Sequence, residues 1–391
     1  MALRFVRQFI KLESSSGIVL FIAAVLAMII DNTALASCYD NFFQTSIQFA
    51  IGSWLLTKPL LSWINDGFMT LFFLLVGLEV KREIVAGELN TIRRAMLPGI
   101  AAIGGMIMPA LIYLSITWYE PIAVKGWAIP VATDTAFALA ILALLGKRIP
   151  VGLKIFLTAL AIFDDIGAII VMAIFYSSRI SVPHLLIALA LIIVLIGLNY
   201  YRVVKLFPYL VVGFFLWLSV LNSGVHATLV GIILAMTIPL ENLKNPARSP
   251  LRWLEHRLHP LVAFYILPLF AFANAGVSFE GLGWHHWLGS IPIGIALGLF
   301  FGKQIGIWGS TMLAVKLKIG HLPGDITPFG LYGMSLIAGV GFTMSLFIGT
   351  LAFHAIAPFA AYVRMGVIAG SIFSGFIGYS MLCLAYPRVA R

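Results

Sequence analysis

The stretch LTALAIFDDIGAIIVMAIF (Leu157–Phe175) sets two adjacent carboxylates, Asp164 and Asp165, inside an otherwise apolar run. A helix needs about 20 residues to cross a hydrocarbon core of about 30 Å, and this run approaches that length. An uncompensated carboxylate at that depth is expensive, so acids inside such helices mark an ion or substrate path.

Outward from this stretch the chain keeps the same character. Its 391 residues are 61% hydrophobic and 10% charged, with a mean hydropathy of +1.04. So little charge cannot wet the surface of a soluble domain of this length, and the alternation of barrel strands is absent over most of the chain. The expected fold class is an all-α polytopic membrane protein, one integral membrane domain over 1–391. Twelve spans are expected, near 15–30, 60–80, 97–118, 125–145, 155–176, 184–200, 207–221, 224–240, 258–276, 290–314, 327–353 and 359–385. Basic residues such as Lys81, Arg82, Arg94, Lys147, Arg148, Lys316 and Lys318 gather on one side of that topology. The bias, about five to one, puts both termini in the cytoplasm, and it explains the net charge of +10 without a nucleic-acid partner. Cys38 and Cys383 fall at opposite faces, so no disulfide framework is expected.

Two regions break the helical pattern. The segment TSIQFAIGSWLLT (about 45–57) is too short to span and reads as an extracytoplasmic β-hairpin, whose open edges suit a dimer contact. The second irregularity is a pair of interrupted helices. GWAIPVATDTAFALAILALLG (Gly126–Gly146) carries Pro130, Thr133, Asp134 and Thr135 at its middle, and LYGMSLIAGVGFTMSLFIGTLAF (Leu331–Phe353) carries Gly339, Gly341, Thr343 and Ser345. Proline removes a backbone donor and close-set glycines weaken a helix. Each interruption falls in the middle member of a three-span unit, about 95–176 and about 290–385, and the two units start on opposite sides of the membrane. Inverted-topology repeats with discontinuous helices that meet at the midplane are a transporter architecture.

Four ionisable residues lie deep: Asp134, Asp164, Asp165 and Lys303. Adjacent residues on a helix point about 100° apart, so Asp164 and Asp165 face different neighbours, and the one that faces Lys303 stays open at this stage. Carboxylates, the Thr133 hydroxyl and loosened carbonyls are hard oxygen donors, suited to a hard cation. A carboxylate that titrates near cytoplasmic pH holds either a proton or a small cation. That exclusion couples the two ions, and with alternating access the minimal machine is a cation/proton exchanger that needs no cofactor. Asp134 suits paired half-helix N-termini; Lys303 suits paired C-termini or a salt bridge to one Asp that opens when sodium arrives. An intramembrane aspartyl protease would need two convergent carboxylates sharing a proton, which adjacent aspartates do not offer. A sodium-coupled symporter would require an organic solute as well.

PVATDTAFALAILALLG, ALAIFDDIGAII, FFLLVGLEVKRE, SGVHATLVGI, LEHRLHP, LPLFAFANAGV and GVGFTMSLFIGTLAF resemble, collinearly and over nearly the whole chain, the signatures of the NhaA sodium/proton antiporters. That family is itself a standard example of inverted repeats. The resemblance implies a bacterial inner-membrane, electrogenic exchanger that expels Na⁺ or Li⁺ and admits more than one H⁺. It implies a cation- and proton-binding pair, Asp164 and Asp165, a Thr133–Asp134 interruption, an intramembrane Lys303 and a homodimer through the hairpin. It also implies a pH-sensing funnel at Glu79, Arg82, Glu83, Glu255, His256, His259 and His226; from the residues alone these read first as solvated helix ends and, for His226, a packed polar residue. Gln304 departs from the proline that commonly follows the lysine.

Overall fold

The computed structural model describes residues 2–51, 54–177, 181–240, 249–278, 283–353 and 357–387. The chain is mostly helical. Among the described residues seven helices are continuous, long and apolar enough to cross a membrane: Leu60–Ala86, Arg94–Thr117, Val151–Phe175, Val182–Tyr200, Pro250–Asn274, Ser290–Lys316 and Phe359–Ala385. Counting three bent helix pairs as spans gives ten. The sequence reading of twelve differs from this at Leu206–Leu221 and Leu229–Thr237, which have 16 and 9 helical residues. Both are shorter than the roughly 20 residues of a perpendicular crossing. Leu186, Ile193, Phe207, Phe214 and Phe376 are each more than half exposed, a pattern that hydrocarbon tolerates and water does not. This is a multi-pass membrane protein.

The chain divides into two compact units, one of Met1–Asn32, Glu88–Ala168 and Asn274–Arg391, the other of Thr33–Gly87 and Ile169–Ala273. In the first unit, the helix Ile92–Thr117 packs closely on Ser290–Lys316, here the lysine helix. Gly298, Gly302 and Gly306 recur every four residues along the contact. A methyl on Gly302 would lie 2.5 Å from the Pro109 Cα, and one on Gly306 would run into the Gly104 carbonyl oxygen. Membrane helices lack a hydrophobic drive toward each other, so small residues that bring backbones close supply the dispersion contact instead. Leu97, Ala101, Leu142, Leu157, Leu160, Ile307, Met334 and Ile337 fill the adjoining core.

Two broken helices complete this unit's centre. Ala123–Val131 and Thr135–Leu144 meet at a bend of 40°, and Pro328–Ile337 and Phe342–Ala352 at 46°. The first break follows Pro130, and the second spans Gly339 and Gly341. Local chemistry sets their outer ends. Thr327 accepts the Gly330 N–H at 3.0 Å and Pro328 opens the helix, while Gly146 takes a φ of +63° to close the first pair.

In the second unit, Ser46–Ile51 (β1) and Trp54–Pro59 (β2) form an antiparallel hairpin with register from Ser46↔Pro59 to Ile51↔Trp54. Lys58 pairs with Asp66 at 2.8 Å, which fastens the hairpin to a wide turn at Trp63–Phe68, near the start of the helix Leu60–Ala86. That helix packs against Leu229–Thr237, where a methyl on Gly231 would sit 2.6 Å from the Leu74 nitrogen. At the far end of the contact Lys81 donates to the carbonyls of Met236 (2.7 Å) and Ile238 (2.6 Å), closing the helix C-terminus.

Candidate functional site

Both broken helices of the first unit are stitched to each other across their interruptions. Thr133 Oγ1 donates to the Ala338 carbonyl at 2.8 Å, and Ser345 Oγ donates to the Ile129 carbonyl at 2.7 Å. Each hydroxyl thus satisfies a carbonyl freed near the break in the other helix. The Asp134 N–H donates to the Val340 carbonyl at 2.7 Å. Asp134 Oδ1 accepts the Phe137 N–H at 3.0 Å, and Oδ2 accepts the Thr343 N–H at 2.9 Å and its hydroxyl at 2.5 Å. One carboxylate therefore caps the start of both second halves.

Ser371, on the helix Ala357–Ala385, accepts the Gly341 and Phe342 N–H groups at 3.3 and 3.2 Å. The sequence placed Thr343 and Ser345 at the interruption without giving them a role, and passed over Ser371. The available signal for Ser371 is the small-residue run AGSIFSG at mid-span, which lets a hydroxyl reach a neighbour's backbone.

The helix Val151–Phe175 shares a core with the first broken helix, through Leu157 and Leu160 on one side and Ala138 and Leu142 on the other. Asp164 is 1% exposed and Lys303 wholly buried; Lys303 Nζ lies 2.6 Å from Asp164 Oδ2. That answers which aspartate faces the lysine. The other oxygen, Asp164 Oδ1, is buried without a hydrogen-bond partner among the described residues, as is Thr135 Oγ1. Asp165 is buried too and acts electrostatically on the same ammonium. Thr133, Asp134, Asp164, Asp165 and Lys303 all belong to this unit's interior. The Lys303 ammonium meets the Asp164 carboxylate, the salt bridge that was one of its two expected roles.

The family model described as "Na+/H+ antiporter 1" matches residues 7–382. A protein from Rhodospirillum rubrum named Na(+)/H(+) antiporter NhaA is 54% identical over 98% of this chain and 98% of its own length. Relatives of the same name from Pseudomonas putida and Psychrobacter arcticus are 53% and 50% identical, each over 98% of this chain and over 98% and 95% of their own. The chain belongs to the NhaA antiporter family. NhaA relatives carry the name of a transporter, not of an enzyme, and come from bacteria.

The remaining candidate residues lie in the second unit. Arg82 Nε donates to both carboxylate oxygens of Glu255, at 2.9 and 3.1 Å, and its guanidinium pairs with Glu83 at 2.6 Å. Glu79 acts electrostatically on Arg82, and His256 on His259. Glu79, Arg82 and Glu83 come from the end of Leu60–Ala86 and Glu255 from the start of Pro250–Asn274, so these four form one charged cluster from two helices, with His256 and His259 on the second.

His226 stands apart. Its Nε2 donates to the Tyr176 carbonyl at 2.8 Å, which assigns the ring proton to Nε2. It precedes the helix Leu229–Thr237, whose far end Lys81 closes, so about 14 Å of helix separates it from the Arg82 cluster.

Proposed function

We propose that this chain is an electrogenic Na⁺(Li⁺)/H⁺ antiporter that exports Na⁺ against more than one H⁺ by alternating access, with Asp164 and Asp165 as the shared ligands. The observation that carries this reading is Asp164 itself: one oxygen is held by Lys303 at 2.6 Å and the other is buried without a partner. A buried carboxylate in that condition has one lone-pair set for a hard cation and a resident counter-ion that must yield when the cation arrives.

Charge counting gives the coupling. With Asp165 protonated and Lys303⁺ on Asp164⁻, the site is neutral. When Na⁺ takes both carboxylates, the proton of Asp165 and that of Lys303 leave. Two protons then move against one sodium ion, and each cycle carries one net charge. Thr133 and Asp134 support the site from the stitched break, where Asp134 offsets the partial positive charges of two half-helix N-termini.

Membership of the NhaA family supports the wider reading. The two broken helices belong to inverted units at about 95–176 and about 290–385 of a twelve-helix fold. The protein sits in the inner membrane with both termini cytoplasmic. Glu79, Arg82, Glu83, Glu255, His256 and His259 sense pH at the funnel mouth, a role supported by histidines beside a carboxylate–guanidinium pair. His226 sits outside that cluster and serves as a packing donor. The hairpin joins two copies of the chain, since a two-stranded ribbon is marginal on its own and keeps open edges.

The test is transport in inverted membrane vesicles. Na⁺ or Li⁺ added alone should dissipate a preformed proton gradient, and Asp164→Asn and Asp165→Asn should abolish this. Normal sodium-dependent flux in either variant removes that residue from the site.

A further inference from the structure

Lys303 does not sit on regular helix. It is the one residue between two wide turns, Gly298–Gly302 and Gln304–Trp308, in which each backbone bond reaches five residues along the chain. Such turns carry an extra residue and often lie at functional sites. The direction in which residue 303 points therefore depends on what holds both turns in place.

On one side the glycines press the first turn against Pro109. On the other, the second turn is tied to the half-helix Pro328–Ile337. Tyr332 Oη donates to Gln304 Oε1 at 2.7 Å, and Trp308 Nε1 donates to the Pro328 carbonyl at 3.1 Å. The Trp308 and Tyr332 rings meet edge to face with centroids 6.0 Å apart. Gln304 is 5% exposed, and its Nε2 has no partner among the described residues. A half-satisfied buried amide is a poorer choice for stability than an apolar side chain of the same shape. Its placement next to Lys303 points to a role other than packing.

We propose that the Gln304–Tyr332 hydrogen bond is a latch that holds the Lys303 turn in its Asp164-paired position and so sets how readily a sodium ion takes that carboxylate. This rests on the reading of Asp164 as a cation ligand. For sodium to occupy Asp164, the ammonium has to withdraw, and the latch opposes any withdrawal that carries the turn with it. A ligand whose receptive state is only partly populated binds more weakly by that fraction. Gln304 and Tyr332 are positioning residues; neither touches the ion.

The experiment compares wild type, Tyr332→Phe, Gln304→Leu and the double variant in inverted vesicles, with sodium titrated at one alkaline pH. Each single variant should lower the apparent KM for Na⁺ by about two- to tenfold, the range set by one neutral hydrogen bond. The double variant should lower it no further, because both changes break the same bond. The single variants leave one buried polar group unpaired and should melt earlier. The double variant removes both groups and should recover its Tm while keeping the lowered KM. A KM that returns to the wild-type value together with Tm, or one that never moves in the single variants, overturns the latch alone. Wild-type protein without sodium-driven flux overturns the sodium reading and the latch with it.

Discussion

Thr343 donates twice to Asp134: its N–H and its hydroxyl both reach Oδ2, at 2.9 and 2.5 Å, while Oδ1 takes the Phe137 N–H. Two helix starts, each worth about half a positive charge, are thus met by one carboxylate. The charge that would force the two breaks apart becomes the reason they stay together.

Asp134→Ala removes this cap from both helices at once. The expected loss is about 1–3 kcal/mol of stability, the range for leaving buried donors unpaired, and Asp134→Asn should lose less because the amide oxygen still accepts. Thermal unfolding of the detergent-purified protein reads this directly. Equal Tm values for wild type and Asp134→Ala would contradict the capping role.

Asp164→Asn leaves the Lys303 ammonium buried without its carboxylate. Removal of one partner of a buried pair costs about 3–5 kcal/mol, whereas removal of both charges is far milder. The double variant Asp164→Asn/Lys303→Met should therefore recover much of the lost Tm yet remain without sodium-driven proton flux. Recovery of flux in that variant would refute the role of the pair.

Gly306→Val should disrupt the lysine helix, because its Cβ runs into the Gly104 carbonyl, a backbone atom that cannot rotate away. Gly309→Ala, three residues on, meets nothing within 4 Å. It should be neutral or gain up to about 1 kcal/mol from helix propensity. Yield and Tm of the two variants, measured side by side, separate backbone contact from a general intolerance of side chains.

Glu255→Gln removes a negative charge from the helix that carries His256 and His259 and releases Arg82 from its two-oxygen hydrogen bond. A more positive cluster gives up protons more readily. The pH of half-maximal sodium-driven flux should fall, while flux at the optimum persists. The shift should shrink at high ionic strength, since Arg82 is a third exposed and open to screening. A pH profile that does not move would remove Glu255 from the sensor.

Replacement of 46–57 by a glycine–serine loop should leave a transporting monomer. Mass measurement in detergent checks this, and a dimer that survives the replacement would place the contact elsewhere.

The sequence by itself determined the solvent, the element type and the chemistry. Runs such as Leu157–Phe175 admit only a membrane helix, Pro130 and the Gly339–Gly341 pair locate the breaks, and Asp164, Asp165 and Lys303 are conspicuous because charge is scarce at that depth. The hairpin was legible too, from a segment too short to span with a glycine at its middle. Direction and partner were decided only by tertiary structure. Lys303 meets Asp164 across 139 residues, and Asp134 meets Thr343 across 209. No periodicity says which of two adjacent aspartates turns toward a distant helix. Two wide turns around Lys303 shift its direction in a way the pattern of residues does not record. Ser371 and Tyr332 stayed hidden for the same reason: a lone hydroxyl in an apolar helix acquires a role only when folding brings an unpaired backbone group or amide within reach.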